Sequence, residues 1–148
     1  MRGKLEYFRY LISHGIRKVV SSKDMETFLL ISLGAILGAN LRYWVGGWAA
    51  NHFGATFPYG TLIINLSGSF VLGLFLTLAT ERFLIDPRWR LLIAVGFLGG
   101  YTTFSSYTYE SMSLLLNGEI GLGLLDLLGS SLFGGLAATA GILLARVI

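Results

Sequence analysis

From residue 28 onward this 148-residue chain is built of long apolar blocks separated by short polar connections. A helix needs ~20 residues to cross a hydrocarbon layer of ~30 Å, and the blocks are that long. The composition agrees: 54% of residues are hydrophobic, only 13% are charged, and the mean hydropathy is +0.70. A soluble domain carries about 25% charged residues, so the bilayer is the solvent to reason in. The blocks predict an all-α membrane protein of four transmembrane helices at about 28–50, 59–80, 91–116 and 120–147. Turn formers and Pro58 close the first connection, Asp86-Pro87 marks the second, and Asn117-Gly118 marks the third.

Residues 1–26 form a basic N-terminal segment, cytoplasmic or on the membrane surface, ahead of a transmembrane domain over 27–148. Its residues 1–24 hold Arg2, Lys4, Arg9, Arg17, Lys18 and Lys23 against Glu6 and Asp24. Leu5, Phe8, Ile12, Ile16 and Val19 fall at helical spacing, which suits an amphipathic helix on an anionic membrane surface. A disordered basic tail, or a start codon misassigned ahead of Met25, accounts for the segment as well, and all three readings stay open. A secretory signal is not expected, because no apolar run follows the basic residues before Met25. Arg82, Arg88, Arg90 and Arg146 fall on the same side as this segment, and the 51–58 and 117–119 connections contain no Lys or Arg. The positive-inside rule therefore puts both termini and the middle connection in the cytoplasm of a multi-pass protein of the cell membrane, the inner membrane where there are two.

Twenty glycines need a use. Gly34 and Gly38, Ser69 and Gly73, Ser131 and Gly135, and Gly141 and Ala145 stand at small-xxx-small spacing, which lets helices approach closely in lipid. Tight packing within the chain explains most of them. A four-helix chain this small has little interior, so some of these faces are expected to meet another subunit.

Polar residues inside spans are expensive and are functional candidates by default. The first span carries Asn40 and Arg42, and the fourth carries Asp126, Ser130 and Ser131. In the second, Thr61, Asn65 and Ser69 form one stripe at i, i+4, i+8. Such a stripe either lines a water-filled path or, through the Asn65 amide, cross-links two helices. The third span is the least ordinary, with Gly99-Gly100 followed by Tyr101, Thr102 and Thr103. Paired glycine before β-branched residues favours a helix broken at mid-membrane, which is tolerated only where protein or a cavity covers the freed backbone groups. The freed carbonyls then serve a cation, or the span merely kinks, with threonine hydroxyls bonding back to the chain.

The run Gly96-Phe97-Leu98-Gly99-Gly100-Tyr101-Thr102-Thr103-Phe104-Ser105, closed by Glu110, resembles the GFxGGxTTFSTFSxE signature of the CrcB/Fluc fluoride channels. Gly38-Ala39-Asn40-Leu41-Arg42 is similar to the family's GAxxR, and Gly60-Thr61-Leu62-Ile63-Ile64-Asn65-Leu66-Ser67-Gly68 to its GTLxxNLxG. The three motifs stand in the family's order and spacing within about residues 30–145.

The resemblance implies an antiparallel dimer with two fluoride pores and a structural sodium ion that is not transported. It assigns the sodium to the backbone carbonyls of Gly99 and Thr102 from each subunit, and the pore to Asn65, Phe104 and the second aromatic of the signature. That second aromatic is Tyr107 here, flanked by Ser106 and Thr108 where the family has threonine and serine. Ser130 falls at a pore-side polar position of some members, and Gly134 replaces serine one turn later. Moving bare fluoride into low dielectric costs tens of kcal/mol, so donors must replace its water. The Asn65 amide and the hydroxyls of Thr103, Ser105, Ser106 and Ser130 are candidates. Ring edges carry positive polarisation, so Phe104 would present its edge to the anion and Tyr107 either its edge or its hydroxyl. Arg42 would gather anions in a vestibule, pair with Glu110 or Asp126, or snorkel to the interface. The implied role is fluoride resistance: HF enters, dissociates, and the anion leaves passively.

Two other classes share some of these features. A small multidrug-type transporter also has four helices and an antiparallel dimer, but it needs an exchangeable carboxylate in its first span, where this chain has Arg42. A membrane assembly protein would use the glycines but not the polar stripe and the interrupted third span. An enzyme is not expected, since His14 and His52 are the only histidines and no nucleophile, base and orienter converge. Absence of cysteine removes disulfides and thiolate chemistry, and the net charge of +3 is too small and local to suggest a nucleic-acid partner. The expected partners are fluoride, membrane lipid and a second subunit. One-sided positive charge fixes one orientation while an antiparallel dimer needs both, so that subunit is either the same chain or an oppositely oriented paralogue.

Overall fold

The computed structural model describes residue 6, residues 21–83 and residues 85–148. The basic N-terminal segment, and the surface helix read into it, therefore lie almost wholly outside the described residues. Every regular element among the described residues is helical.

Helix α1 (Ser22–Phe53) begins six residues before the apolar block. A capping box explains the early start: Asp24 accepts from the Ser21 N–H at 3.0 Å, and the Ser21 hydroxyl accepts from the Lys23 N–H at 3.3 Å. Gly54, at φ 80, ends the helix and returns its N–H to the Ala50 carbonyl. Thirty-two residues rise about 48 Å, so α1 overshoots a ~30 Å hydrocarbon layer. Helix α2 (Tyr59–Thr77) continues into a π-helical turn, Leu78–Arg82.

The third apolar block is not one helix. It is a short α3 (Pro87–Trp89), a π-helical stretch Arg90–Leu98, the single turn α4 (Gly99–Tyr101) and α5 (Phe104–Leu116). Helix α6 (Ile120–Val147) follows the turn at Gly118 and matches the fourth block to the residue. Among the described residues, Ser22–Phe53, Tyr59–Arg82 and Ile120–Val147 are each long and apolar enough to cross a membrane. The interrupted third block fails that test because no helix in it is long enough.

Two seams hold the bundle together, and small residues make both. A Cβ built on Gly38 would stand 2.0 Å from the Phe97 carbonyl oxygen, so α1 lies directly against the Arg90–Leu98 backbone. Likewise a Cβ on Gly141 would stand 2.2 Å from the Phe70 carbonyl oxygen, which sets the spacing of α2 and α6. The Gly34/Gly38 and Gly141/Ala145 pairs are therefore used within the chain. Gly135 has nothing within 4 Å of the equivalent point.

One end of the bundle collects the charges. Arg88 pairs with Glu26 at 2.6 Å and Arg146 with Glu81 at 3.1 Å, while Arg82 donates to the Arg146 carbonyl and Arg90 to that of Ala79. The start of α1, the 82–90 connection and the end of α6 thus share one side, as the charge pattern requires. Elsewhere the surface is apolar, with side chains such as Leu33, Trp44, Leu128 and Leu132 about half to two-thirds exposed. Such continuous apolar area belongs to a lipid or subunit contact.

Candidate functional site

The site grows from two residues that leave the helix. The Thr102 N–H still reaches the Leu98 carbonyl at 3.0 Å, but Thr102 (φ −76, ψ 157) and Thr103 (φ −148, ψ 117) are extended. The N–H of Thr103, which would continue the helix to Gly99, donates instead to Asn65 Oδ1 at 2.8 Å. Asn65 Nδ2 donates back to the Thr103 carbonyl at 2.9 Å. One side-chain amide of α2 therefore replaces the partner that the break takes from the Thr103 N–H, as a buried peptide group requires, and adds a bond to the Thr103 carbonyl. Of the two uses open to Asn65, cross-linking is the one realised, and its second N–H is left over. Thr103 also caps α5, its hydroxyl accepting from the Ser106 N–H at 3.2 Å.

A cavity of 340 Å³ opens beside this break. Asn65, Thr103, Phe104, Tyr107 and Ser130 all line it, with Thr102. The Phe104 and Tyr107 rings stand 5.8 Å apart at 56°, one turn apart on α5. Phe104 is 77% exposed on the protomer and Tyr107 only 7%. The Tyr107 hydroxyl contacts the Leu127 carbonyl at 2.5 Å and Ser131 Oγ at 2.7 Å, so it is anchored to α6 and the ring is what Tyr107 offers the cavity.

Ser106 and Arg42 are not with this group. They line a second cavity of 580 Å³, with Thr61, Tyr109 and Glu110, and Thr103 belongs to both walls. Arg42 pairs with neither Glu110 nor Asp126. Its guanidinium reaches the Thr102 carbonyl at 3.4 Å. Asp126 instead accepts from Ser111 and Ser130.

Ser69 is the residue that motif reasoning missed. It lines the first cavity one turn along from Asn65, and among the described residues its hydroxyl makes no hydrogen bond. The stripe Thr61, Asn65, Ser69 carried that signal, although Thr61 opens on the other cavity. Of the carbonyl pair, Gly99 lies before the break and Thr102 within it; the Gly99 carbonyl has lost the Thr103 N–H to Asn65.

A family model described as CrcB-like protein, Camphor Resistance (CrcB), matches residues 29–142, which includes both cavities and the break. The chain belongs to the CrcB family. Among similar CrcB relatives, a Synechococcus sp. (strain JA-2-3B'a(2-13)) protein named fluoride-specific ion channel FluC is 55% identical over 126 residues, 85% of this chain and 97% of the relative. A protein of the same name from Koribacter versatilis (strain Ellin345) is 56% identical over 98 residues, 66% of this chain and 78% of the relative. Another from Sulfurihydrogenibium sp. (strain YO3AOP1) is 47% identical over 124 residues, 84% of this chain and 100% of the relative. The CrcB match starts seven residues into α1 and leaves out the basic N-terminal segment.

Proposed function

We propose that this chain is one subunit of a passive, fluoride-selective channel that exports fluoride from the cytoplasm and so confers fluoride resistance. The observation that carries the reading is the cavity at the extended Thr103, where Asn65, Phe104, Tyr107 and Ser130 meet, in a chain 55% identical over 126 residues to a protein named fluoride-specific ion channel. Polar donors and ring edges around one apolar-walled passage are what a dehydrated small anion needs in place of water. The third transmembrane helix is read as broken at mid-membrane, and the extended Thr102-Thr103 pair supports this.

The working unit is an antiparallel dimer. Its support is the 77% exposure of Phe104, a ring on the wall of the smaller cavity that a second subunit would cover. A structural sodium ion fits between two such subunits. The Gly99 carbonyl without its helical donor and the Thr102 carbonyl with only a 3.4 Å contact would supply oxygens from each side. The ion's contribution is to join the subunits; Asn65 keeps the carbonyls at the break in position. Arg42, on the wall of the larger cavity, gathers anions there as a vestibule charge.

The protein is assigned to the cell membrane with both termini in the cytoplasm, since the Arg82, Arg88, Arg90 and Arg146 end is the positive one. That fixed orientation favours an oppositely oriented paralogue over a second copy as the partner. Expression in a strain lacking its own fluoride exporter, alone and with candidate paralogues, tests the function. Restored growth in fluoride is expected. No rescue by a membrane-inserted, dimeric protein overturns the proposal.

A further inference from the structure

Asp126 has no role in the pore as described, yet it is fully buried in α6. A carboxyl group at such a position is costly and marks function by default. Both of its oxygens accept hydroxyl protons. Ser111 of α5 donates to Oδ2 at 2.6 Å, and Ser130, one turn along α6, donates to Oδ1 at 2.9 Å. No cation pairs with Asp126 among the described residues; the ion pairs there are Arg88–Glu26 and Arg146–Glu81.

Ser130 also lines the cavity that holds Asn65, Phe104 and Tyr107. A serine hydroxyl has one proton. While that proton is given to Asp126, Ser130 turns only lone pairs toward the cavity, and a fluoride ion there meets two repulsions, the lone pairs and the carboxylate charge behind them. A protonated Asp126 is different: one oxygen becomes a donor, needs no serine proton, and leaves one hydroxyl free to turn.

We infer from this arrangement that Asp126 is a positioning residue which sets the direction of the Ser130 hydroxyl, so that protonation of Asp126 lets Ser130 donate to the anion and raises conduction. The inference rests on the fluoride-channel reading. Asp126 lies near the Ile120 end of α6, opposite the arginine cluster, so by the orientation proposed above it answers to external acid. External acid is also the condition that converts fluoride to permeant HF. The titratable groups on the helix packed against Asp126 are Glu110, Tyr107 and Tyr109 of α5. Tyr59 opens α2 and Glu119 precedes α6, while Glu81, Arg82 and Arg146 lie at the far end.

The test is fluoride efflux from liposomes at acidic and neutral pH for wild type, Asp126→Asn and Ser130→Ala, with the HF leak of protein-free vesicles subtracted. Asparagine accepts from one serine and donates to the other, so the buried cluster stays satisfied. Wild-type flux is expected to rise about threefold or more on acidification. Asp126→Asn should equal the acid level already at neutral pH and stay flat, and Ser130→Ala should be low and flat. A wild-type pH profile in Asp126→Asn, or a loss of flux there as deep as in Ser130→Ala, overturns the inference. If Asp126→Asn does not fold, Ser130→Ala decides: a flat profile supports the inference and a wild-type profile overturns it. Wild-type efflux no faster than the protein-free control overturns the channel reading itself.

Discussion

Asn65 grips Thr103 at both ends of its backbone, accepting its N–H at 2.8 Å and donating to its carbonyl at 2.9 Å across 38 residues of sequence. The N–H has lost its helical partner at the break, whereas the carbonyl, at the N-cap of α5, also accepts the first bond of that helix. Replacing Asn65 with leucine, similar in size, leaves the Thr103 N–H unmet, at about 1–3 kcal/mol. The expected outcome is lost fluoride flux together with a clearly lowered thermal midpoint in detergent. Flux lost with no change in stability would mean that Asn65 serves the anion rather than the break.

The aromatic pair separates ring from hydroxyl. Phe104→Ile keeps bulk but removes the polarised edge, so fluoride flux should fall by about a hundredfold or more, ~2.7 kcal/mol of barrier, with the fold retained. Tyr107→Phe keeps the edge and gives up contacts to the Leu127 carbonyl and Ser131, worth about 1 kcal/mol of stability. Its flux should remain within about tenfold of wild type. The reverse pattern in the same efflux assay would make the phenol hydroxyl the working group.

Ser69 lines the first cavity, and among the described residues its hydroxyl makes no hydrogen bond. Ser69→Ala is expected to reduce fluoride flux by about tenfold while leaving the thermal midpoint unchanged, because no bond within the protomer is lost. An unchanged flux would remove Ser69 from the ion path.

How far these relationships were legible in sequence depended on whether their cause was local. Block length and hydropathy were enough for the fourth helix, Ile120–Val147, to be read to its end residues. The same reading began the first helix at residue 28 and passed over the Ser21 and Asp24 capping box, because a cap is polar and carries no hydropathy signal. Paired glycine and β-branched threonines, all local features, pointed to Thr102 and Thr103. The partner of the freed Thr103 N–H was not legible, since Asn65 had an equally good use lining a water path. For Asp126, Ser130 at i+4 was visible on the same face, whereas Ser111 depends on how α5 meets α6. For Arg42 a vestibule charge, a carboxylate pair and snorkelling were all open in sequence, and its contact with a carbonyl that the break exposed was not legible, because that carbonyl is freed only by the fold.

The α1 seam leaves no room for a methyl group. A Cβ on Gly38 would meet the Phe97 carbonyl at 2.0 Å, so Gly38→Ala must push α1 off the Arg90–Leu98 backbone. Yield and thermal midpoint should both drop sharply. Gly135→Ala, with nothing within 4 Å in the protomer, should leave the isolated protomer's helix content unchanged. Equal behaviour of the two variants by size-exclusion chromatography and thermal melting would contradict the seam.

The central claim is selective, passive anion conduction through the cavity at Thr103, and anion efflux from liposomes holding the purified, dimeric protein tests it most directly. With neither ATP nor a proton gradient supplied, fluoride should leave far faster than from protein-free liposomes, and chloride should leave little faster. Fluoride efflux equal to the protein-free control, or chloride efflux as fast as fluoride, would contradict the account.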